Sequence, residues 1–347
     1  MRRNDKKYTI NDIARYTGVG ISTVSRVLNK TTTKIAVTEK TKQRIWDAVK
    51  QFDYAPDINA QRLSSRKSYV LALIVPAYRP GVRPHAFTDH TIIEALRGVE
   101  DAILKTKYKL LLIFKNDDFI EQKEYLKLFR EKSIDGMIIW GASFKDNYIS
   151  ELAGYPVMVM NAYNSEDDKV SYVGHDNLNA SFKMTEYLIK KGYRNFCYIG
   201  ARLGNSIAKE RREGVMQALK KHNIKLRDEN IFEGDFYPER AYEIMDGILT
   251  GKKHKFDAVI TVNDSTALGV YRAALAHGKK ISGDFALVGG DGVDCFGEEV
   301  CPLTTFRVDC FKMGRIAIEK LIDQVEGRES KAFKILLDTE LIIRKTA

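Results

Sequence analysis

A chain of 347 residues, 44% hydrophobic and 29% charged, is long enough for two or three globular domains with full cores. It has no run of about 18 apolar residues of the kind that spans a membrane, and MRRNDKKYTI at its start lacks the apolar stretch of a secretory signal. The net charge of +10 is concentrated: residues 1–68 hold 15 Lys/Arg against 6 Asp/Glu, and the other 279 hold 41 against 40. Basic surfaces attract polyphosphate by releasing its condensed counterions, so a fifth of the chain carries a nucleic-acid footprint.

The first elements fall inside that basic fifth. In TINDIARYTGVGISTVSRVLN, Thr9 caps a helix with Asp12 as the acidic half of a capping box. Ile10, Ile13 and Ala14 line one face at helical spacing. Gly18-Val19-Gly20 turns the chain, and a second helix follows with Val24, Val27 and Leu28 inward and Ile21, Ser22, Ser25 and Arg26 outward. Two short helices about a glycine turn form a helix-turn-helix, whose second helix enters the DNA major groove. An ordinary αα-hairpin would fit the same pattern.

Lys30–Lys34 is a polar loop. Thr38 starts a third helix with Ile45, Ala48, Val49 and Phe52 on one face and Trp46 at the core's edge, and Pro56 stops the pattern. Asp57–Leu63 has the length of one or two helical turns, too short to be stable alone, and Ser64–Ser68 is a polar linker.

From Tyr69 the texture becomes alternating apolar strands and amphipathic helices. Strands are predicted at Tyr69–Val75, Tyr108–Phe114, Met137–Trp140, Val157–Met160, Asn195–Ile199, Ala258–Val262 and Phe285–Val288. Helices are predicted at Ile92–Lys105, Phe119–Glu131, Ile207–Lys221, Glu239–Thr250 and Ser265–His277. Such repetition builds doubly wound parallel sheets. Two sets imply two α/β lobes, a pattern that resembles periplasmic sugar-binding proteins, whose lobes close on a ligand. The expected fold is a small all-α helix-turn-helix domain (1–55), a hinge (56–68) and an α/β core (69–347). Within the core, an N-lobe covers 69–168 and 297–326, and a C-lobe covers 169–296 and 327–347.

YTINDIARYTGVGISTVSRVLN, VTEKTKQRI and YAPDINAQRL, in that order, resemble the DNA-binding domain of the lactose-repressor (LacI/GalR) family. VNDSTALGVYRA, LVGGDG, CPLTTFRVD and MGRIAIEKL resemble that family's core motifs, so the likeness spans nearly the whole chain. It implies a transcription regulator, most simply a repressor, that binds a pseudo-palindromic double-stranded operator as a dimer. Ile21, Ser22 and Arg26 then stand at base-reading positions. Arg26 has the chemistry for a bidentate guanine contact, worth about 1–3 kcal/mol of discrimination. Thr9, Thr23, Ser25, Asn29 and Thr41 match phosphate-contacting positions, and Tyr54 a backbone-contacting tyrosine. Leu63 matches a leucine wedged into the minor groove, with Ala60 one turn before it. Three departures stand out: Gly20 where a capping serine is usual, Asp57 where an asparagine is usual, and a longer Lys30–Lys34 loop.

For the core, the resemblance implies a small effector, a sugar or phosphosugar, gripped by Arg211, Asp291, Asn263 and Asn161. Ala77 and Tyr78 border the cleft from the other lobe, and Phe236 stacks on the ligand. Asp291 could equally cap a turn, and Asn263 the helix at Asp264. Gly290 and Gly292 stand where an aromatic and a second acid are common. Effector binding is expected to shift the lobes and so the stability of the Asp57–Leu63 hinge helix.

Nothing in the sequence suggests catalysis. The six histidines (His85, His90, His175, His222, His254 and His277) have no zinc spacing. No phosphate-binding loop ending in Lys-Ser/Thr and no Gly-x-Ser-x-Gly elbow is present. No cofactor and no metal is expected. The cysteines, Cys197, Cys295, Cys301 and Cys310, form no Cys-x-x-Cys pair and fit reduced thiols in the cytoplasm. The ending LIIRKTA is short and lacks heptads, which points to a homodimer without a tetramerising helix. A sugar-binding transport receptor would share the core but leave the basic module unexplained. A regulator answering to a protein corepressor, or to no ligand, stays open.

Overall fold

The computed structural model describes residues 8–28, 37–57, 62, 65–77, 86–142, 146–162, 169–204, 206–251, 255–293 and 302–347. The chain divides between Ser68 and Tyr69 into two units.

In the first unit, α1 (Ile10–Thr17), α2 (Ile21–Leu28) and α3 (Glu39–Gln51) enclose one small core. Ile13, Ala14, Val24, Val27, Ile45 and Ala48 are its buried residues, with Val49, Phe52 and Tyr54 packed against them. The Asp12 carboxylate accepts from the Thr9 N–H at 2.9 Å and its hydroxyl at 2.8 Å, closing the start of α1. Gly18, at φ 62°, ends it in the left-handed conformation that glycine adopts without a Cβ penalty. Thr38 caps α3 by accepting from the Thr41 N–H. The expectation for Trp46 is corrected: it is 41% exposed and takes no part in the core. The aromatic packing comes instead from Phe52, held between Tyr8 and Tyr16 at centroid distances of 4.6 and 4.9 Å. Of the predicted hinge helix, Asp57 and Arg62 alone are described; Asn29, Ala60 and Leu63 also lie outside the described residues.

The second unit holds two parallel sheets. One has six strands in the order β11-β5-β4-β3-β1-β2: β1 (Val70–Pro76), β2 (Lys109–Lys115), β3 (Gly136–Trp140), β4 (Val157–Met160), β5 (Ser171–His175) and β11 (Lys334–Leu337). The other is β7-β6-β8-β9, from β6 (Phe196–Gly200), β7 (Ile231–Glu233), β8 (Ala258–Thr261) and β9 (Ala286–Val288). β10 (Thr305–Arg307) and β12 (Glu340–Ile342) form an antiparallel pair. The inner strands are apolar on both faces because helices cover both. Leu71, Leu73 and Val75 face one core and Ala72 and Ile74 another, while Phe196 and Tyr198 part in the same way from Cys197 and Ile199.

The covering helices are α4 (His90–Ile103), α5 (Asp117–Glu121), α6 (Glu124–Arg130), α7 (Asn177–Lys190), α8 (Ser206–Lys221), α9 (Pro238–Gly251), α10 (Asp264–Ala276) and α11 (Cys310–Val325). The single helix predicted at Phe119–Glu131 is two, α5 and α6, broken where Lys123 takes φ 51°. The lobe boundaries also move. β5 pairs with β4 and with β11, so residues 171–175 and 334–337 belong to the six-stranded lobe. Thr304 and Asp291 bridge Val288 and Arg307 respectively, which ties β10 to the other lobe. The sequence pattern marks strands without saying which sheet each joins, and here two strands lying just beyond the expected borders complete one edge.

Glycine sets the spacing of the helix pairs. A Cβ on Gly98 of α4 would stand 1.9 Å from the Phe311 carbonyl of α11, and one on Gly314 of α11 would stand 2.0 Å from the Ala95 carbonyl of α4. Gly214 does the same for α8 against α7, and Gly269 for α10 against the start of α9. Backbone cannot yield as a side-chain tip can, so Gly314→Ala is expected to cost about 1–3 kcal/mol, as overpacked cores do. Gly247→Ala in α9, which meets nothing within 4 Å, should instead add up to about 1 kcal/mol through helix propensity. Urea denaturation of the two variants should therefore move in opposite directions.

Candidate functional site

On the first unit, the outer side of α2 is the chemically open surface. Val24 and Val27 point into the core, whereas Ile21 is 49% exposed and Ser22 is exposed. Thr23, Ser25 and Arg26 are half-buried at the flanks. The Arg26 Nε donates to the Ser22 carbonyl at 3.2 Å, which lays the guanidinium along its own helix toward Ser22. Gly20 precedes α2, its carbonyl accepting from Thr23 and Val24 N–H, and it brings no side chain to the turn. Thr9 is exposed with its hydroxyl donated to Asp12, and the Thr41 hydroxyl lies 2.9 Å from that of Thr38. Tyr54 is packed against the core, and burial with the charge of Asp57 raises its phenol.

On the second unit, a cavity of about 780 Å³ opens between the lobes. Its walls are the carboxyl ends of strands from both sheets: Pro76, Trp140 and Asn161 from one lobe, Asn263 and Asp291 from the other. Open α/β sheets place ligands there, where strand ends and helix starts leave polar backbone groups facing a crevice. Of the seven core residues named from the sequence, Asn161, Arg211, Phe236, Asn263 and Asp291 line it. Ala77 does not, although its neighbour Pro76 does, and Tyr78 lies outside the described residues.

Arg211 is the best-anchored of these. Its side chain is 5% exposed, and its Nε donates to Asn177 Oδ1 at 2.9 Å. Nη1 donates to the Val262 carbonyl at 2.6 Å and Nη2 to Asp291 Oδ1 at 2.5 Å. The guanidinium lies 4.9 Å from the centroid of the Phe306 ring. Asp291 sits at φ 106° and Asn161 at φ 78°, backbone that L residues rarely adopt. Strain of this kind costs about 1–3 kcal/mol and gathers at functional sites. The glycines beside Asp291 have their own reason: a Cβ on Gly290 would stand 2.6 Å from the Phe306 ring, and Gly292, at φ 70°, lies against Arg307. Asn263 makes the cap that the sequence offered as one of its two alternatives. Its Oδ1 caps α10, accepting from the Thr266 N–H at 2.8 Å, while the residue still lines the cleft.

Several cleft residues escaped the sequence reading. Asp264 is buried, accepts from the Thr305 hydroxyl at 2.6 Å and the Val293 N–H at 2.7 Å, and so joins α10 to β10 and the loop after β9. Burial first, and then the charge of Asp291, push its carboxyl well above the usual range. Burial also raises Asp291, against the pull of Arg211. Lys115, 9% exposed, pairs with Asp146 at 3.1 Å and reaches the Tyr148 hydroxyl at 3.3 Å. A lysine ending an apolar strand was the one signal available. Asp89 caps α4, accepting from the Thr91 N–H at 2.9 Å. Among the described residues no cluster of three or more His, Cys, Asp or Glu could hold a metal ion, and no helix is long and apolar enough to cross a membrane.

Residues 9–57 match the family described as bacterial regulatory proteins, lacI family, and residues 185–347 match the periplasmic binding protein-like domain. The chain therefore joins a lacI-type DNA-binding domain to a periplasmic binding protein-like domain. The chain is 28% identical over 341 residues to the HTH-type transcriptional repressor PurR of Mannheimia succiniciproducens, covering 97% of this chain and 98% of that one. The PurR of Yersinia pestis is also 28% identical over 341 residues, covering 97% of this chain and 96% of the relative. In fold it resembles the Lac repressor dimer bound to operator and the anti-inducer ONPF, with a TM-score of 0.81 and 21% identity over 98% of this chain and 99% of that one. It also resembles the transcriptional regulator CelR in its cellobiose complex, with a TM-score of 0.72 and 24% identity over 98% of this chain and 100% of that one.

Where the lobes cross over, His175 at the end of β5 is 2% exposed. Burial, and to a smaller extent the charge of Arg211, lower its imidazole to about 4 against a bond to the Asp309 backbone. The unfolded chain takes up a proton near pH 6.5 that the folded chain refuses, so stability should fall as pH drops from 6.5 toward 4. At about 1.4 kcal/mol per unit, the loss by pH 5 is about 2 kcal/mol. Comparing denaturation at pH 7.5 and 5.0, His175→Gln should show a pH dependence smaller by about that amount. An unchanged slope would place the acid sensitivity elsewhere.

Proposed function

We propose that this chain is a sequence-specific transcriptional repressor that binds a pseudo-palindromic operator as a homodimer and alters its grip when a small sugar fills the cleft. The observation that carries this reading is the joining, in one chain, of a basic lacI-type helix-turn-helix with an open recognition face to a two-lobed cleft with polar walls. The relatives named as repressors and the operator-bound and cellobiose-bound structural neighbours support it.

In this reading residues 1–55 read DNA, 56–68 act as the hinge, and 69–347 bind effector and dimerise. Arg26 and Ser22 address base edges, and Ile21 meets at most a thymine methyl, since it has no hydrogen-bonding group. Thr9, Thr23, Ser25, Asn29, Thr41 and Tyr54 fix the module on phosphates. Leu63, with Ala60 behind it, wedges the minor groove. In the cleft, Arg211, Asp291, Asn263 and Asn161 bond ligand hydroxyls, Phe236 packs against the ring, and Ala77 and Tyr78 border the entrance. The protein works in the cytoplasm, without catalysis and without a cofactor. A ligand shifts the DNA-binding state only in so far as it binds the two states with different affinity.

Selection of bound DNA from random sequence, with and without a sugar panel, tests the whole reading. A two-fold-related consensus whose recovery changes with one sugar is the expected result, and loss of any consensus would refute it. Arg26→Ala should weaken binding to that consensus by about 1–3 kcal/mol while sparing binding to random duplex. Leu63→Ala should broaden the sequences accepted, and an unchanged preference in both variants would put recognition elsewhere.

A further inference from the structure

The charges on the cleft walls do not balance. Among the described lining residues, Asp89, Asp146, Glu239 and Asp291 face only Lys115 and Arg211, with His90 beside them; Asp264, whose burial disfavours its charged form, is left out of the balance. Each cation is already held by a carboxylate of its own lobe, Lys115 by Asp146 at 3.1 Å and Arg211 by Asp291 at 2.5 Å. Two of the helix starts that open on the cleft are occupied in the same way. Asp89 accepts from the Thr91 N–H at the head of α4, and Asn263 from the Thr266 N–H at the head of α10. Among the described residues, both cations and these two helix starts are therefore engaged by the protein itself.

Asp89 and Asp291 belong to opposite lobes, and the charge of Asp89 acts on Asp291 across the gap. A phosphate or carboxylate placed between them would add to that repulsion in a partly buried site, where charges are weakly screened. Hydroxyl or ammonium donors would relieve it.

We propose that the cleft selects its ligand by charge, taking a polyol without negative charge, binding it more tightly when it carries an ammonium group between Asp89 and Asp291, and rejecting the phosphorylated counterpart. This rests on reading the cleft as the effector site. It narrows the ligand class from sugars and phosphosugars together to neutral and amino sugars.

The test is calorimetric titration of the full chain with matched trios: glucose, glucosamine and glucose 6-phosphate, and the same three forms of galactose and mannose. Within the trio that binds, the phosphate should be at least tenfold weaker than the parent and the amine at least as tight. A phosphosugar that binds as tightly as its parent, or a weaker amine, overturns the proposal. If no trio binds, the sugar reading fails and the charge of the cleft is read directly. Trp140 lines the cavity, and Trp46→Phe leaves it as the sole indole of two. Scaled to acrylamide, caesium should then quench Trp140 more efficiently than iodide; equal or reversed quenching overturns the proposal. Asp89→Asn keeps the α4 cap, because asparagine caps as well as aspartate, and removes one charge. It should narrow the amine-to-phosphate ratio, or the caesium-to-iodide ratio, by threefold or more. An unchanged ratio would overturn the part assigned to Asp89.

Discussion

The guanidinium of Arg211 has almost no contact with water, so each of its bonds must be supplied by protein that stays in place. It is carried by α8 and bonds the head of α7 at Asn177, the residue after β8 at Val262 and the loop after β9 at Asp291, with the β10 ring of Phe306 against its face. Five pieces of chain, far apart in sequence, are thereby fixed to one planar fork. A lysine could not replace it, since a single ammonium lacks the fixed fan of donors. A buried pair of this kind is weak evidence for stability, because the desolvation of two charges offsets most of their attraction. What it secures is geometry: the strained Asp291 backbone is held from the side chain as well as from the main chain. The cleft wall of that lobe exists in this form because Arg211 does.

The lobes supply that wall with rigidity in a second way. In each, paired helices approach until backbone touches backbone, and glycines at Gly98, Gly314, Gly214 and Gly269 make the approach possible. Close crossings leave little room for one helix to slide on its partner. The chain passes between the lobes through short crossovers. Two of those crossovers end in an aspartate that caps the next helix, Asp176 for α7 and Asp309 for α11. The capping bonds fix where the helices begin and so how much chain is left to bend.

Much of this was legible in the residues. The helix-turn-helix was readable because its core is periodic, its turn is a glycine at positive φ, and its caps are local. The inner strands other than β5 were readable because both faces are buried and the runs are apolar, whereas β5, SYVGH, is just as buried but carries no apolar run. The edge strands β7, β10, β11 and β12 were not, since they are three or four residues long and partly exposed. Sheet membership of β11 depends on pairing with β5 across about 160 residues of chain, which no local pattern encodes. In the site, Arg211 and Asp291 could be named from the resemblance. Lys115, Asp89 and Asp264 could not, because each is recognisable only once its partner, Asp146, Thr91 or Thr305, is beside it. Trp46, expected at the edge of the core, is 41% exposed and is not among the residues packed against it.

The placement of Asp291 joins the cleft to the crossover. Its N–H donates to the Phe306 carbonyl at 2.9 Å, and its own carbonyl accepts from the Val308 N–H at 3.1 Å. Val308 lines the cleft, and the next residue, Asp309, supplies the backbone contact to buried His175. A ligand that draws on the Asp291 carboxylate therefore pulls on a residue whose peptide groups are bonded on both sides to the strand leading out of the lobe. Because φ 106° leaves an L residue few neighbouring minima, that pull is not absorbed by an easy local rotation. On the facing lobe Asn161, also at positive φ, is held through its N–H to Val173 and through its carbonyl to the Tyr172 hydroxyl, both on β5, the strand that ends in His175. The two strained cleft residues thus lead by hydrogen bonds to the same crossover from opposite sides, which is the arrangement a cleft needs if filling it is to be felt beyond its walls.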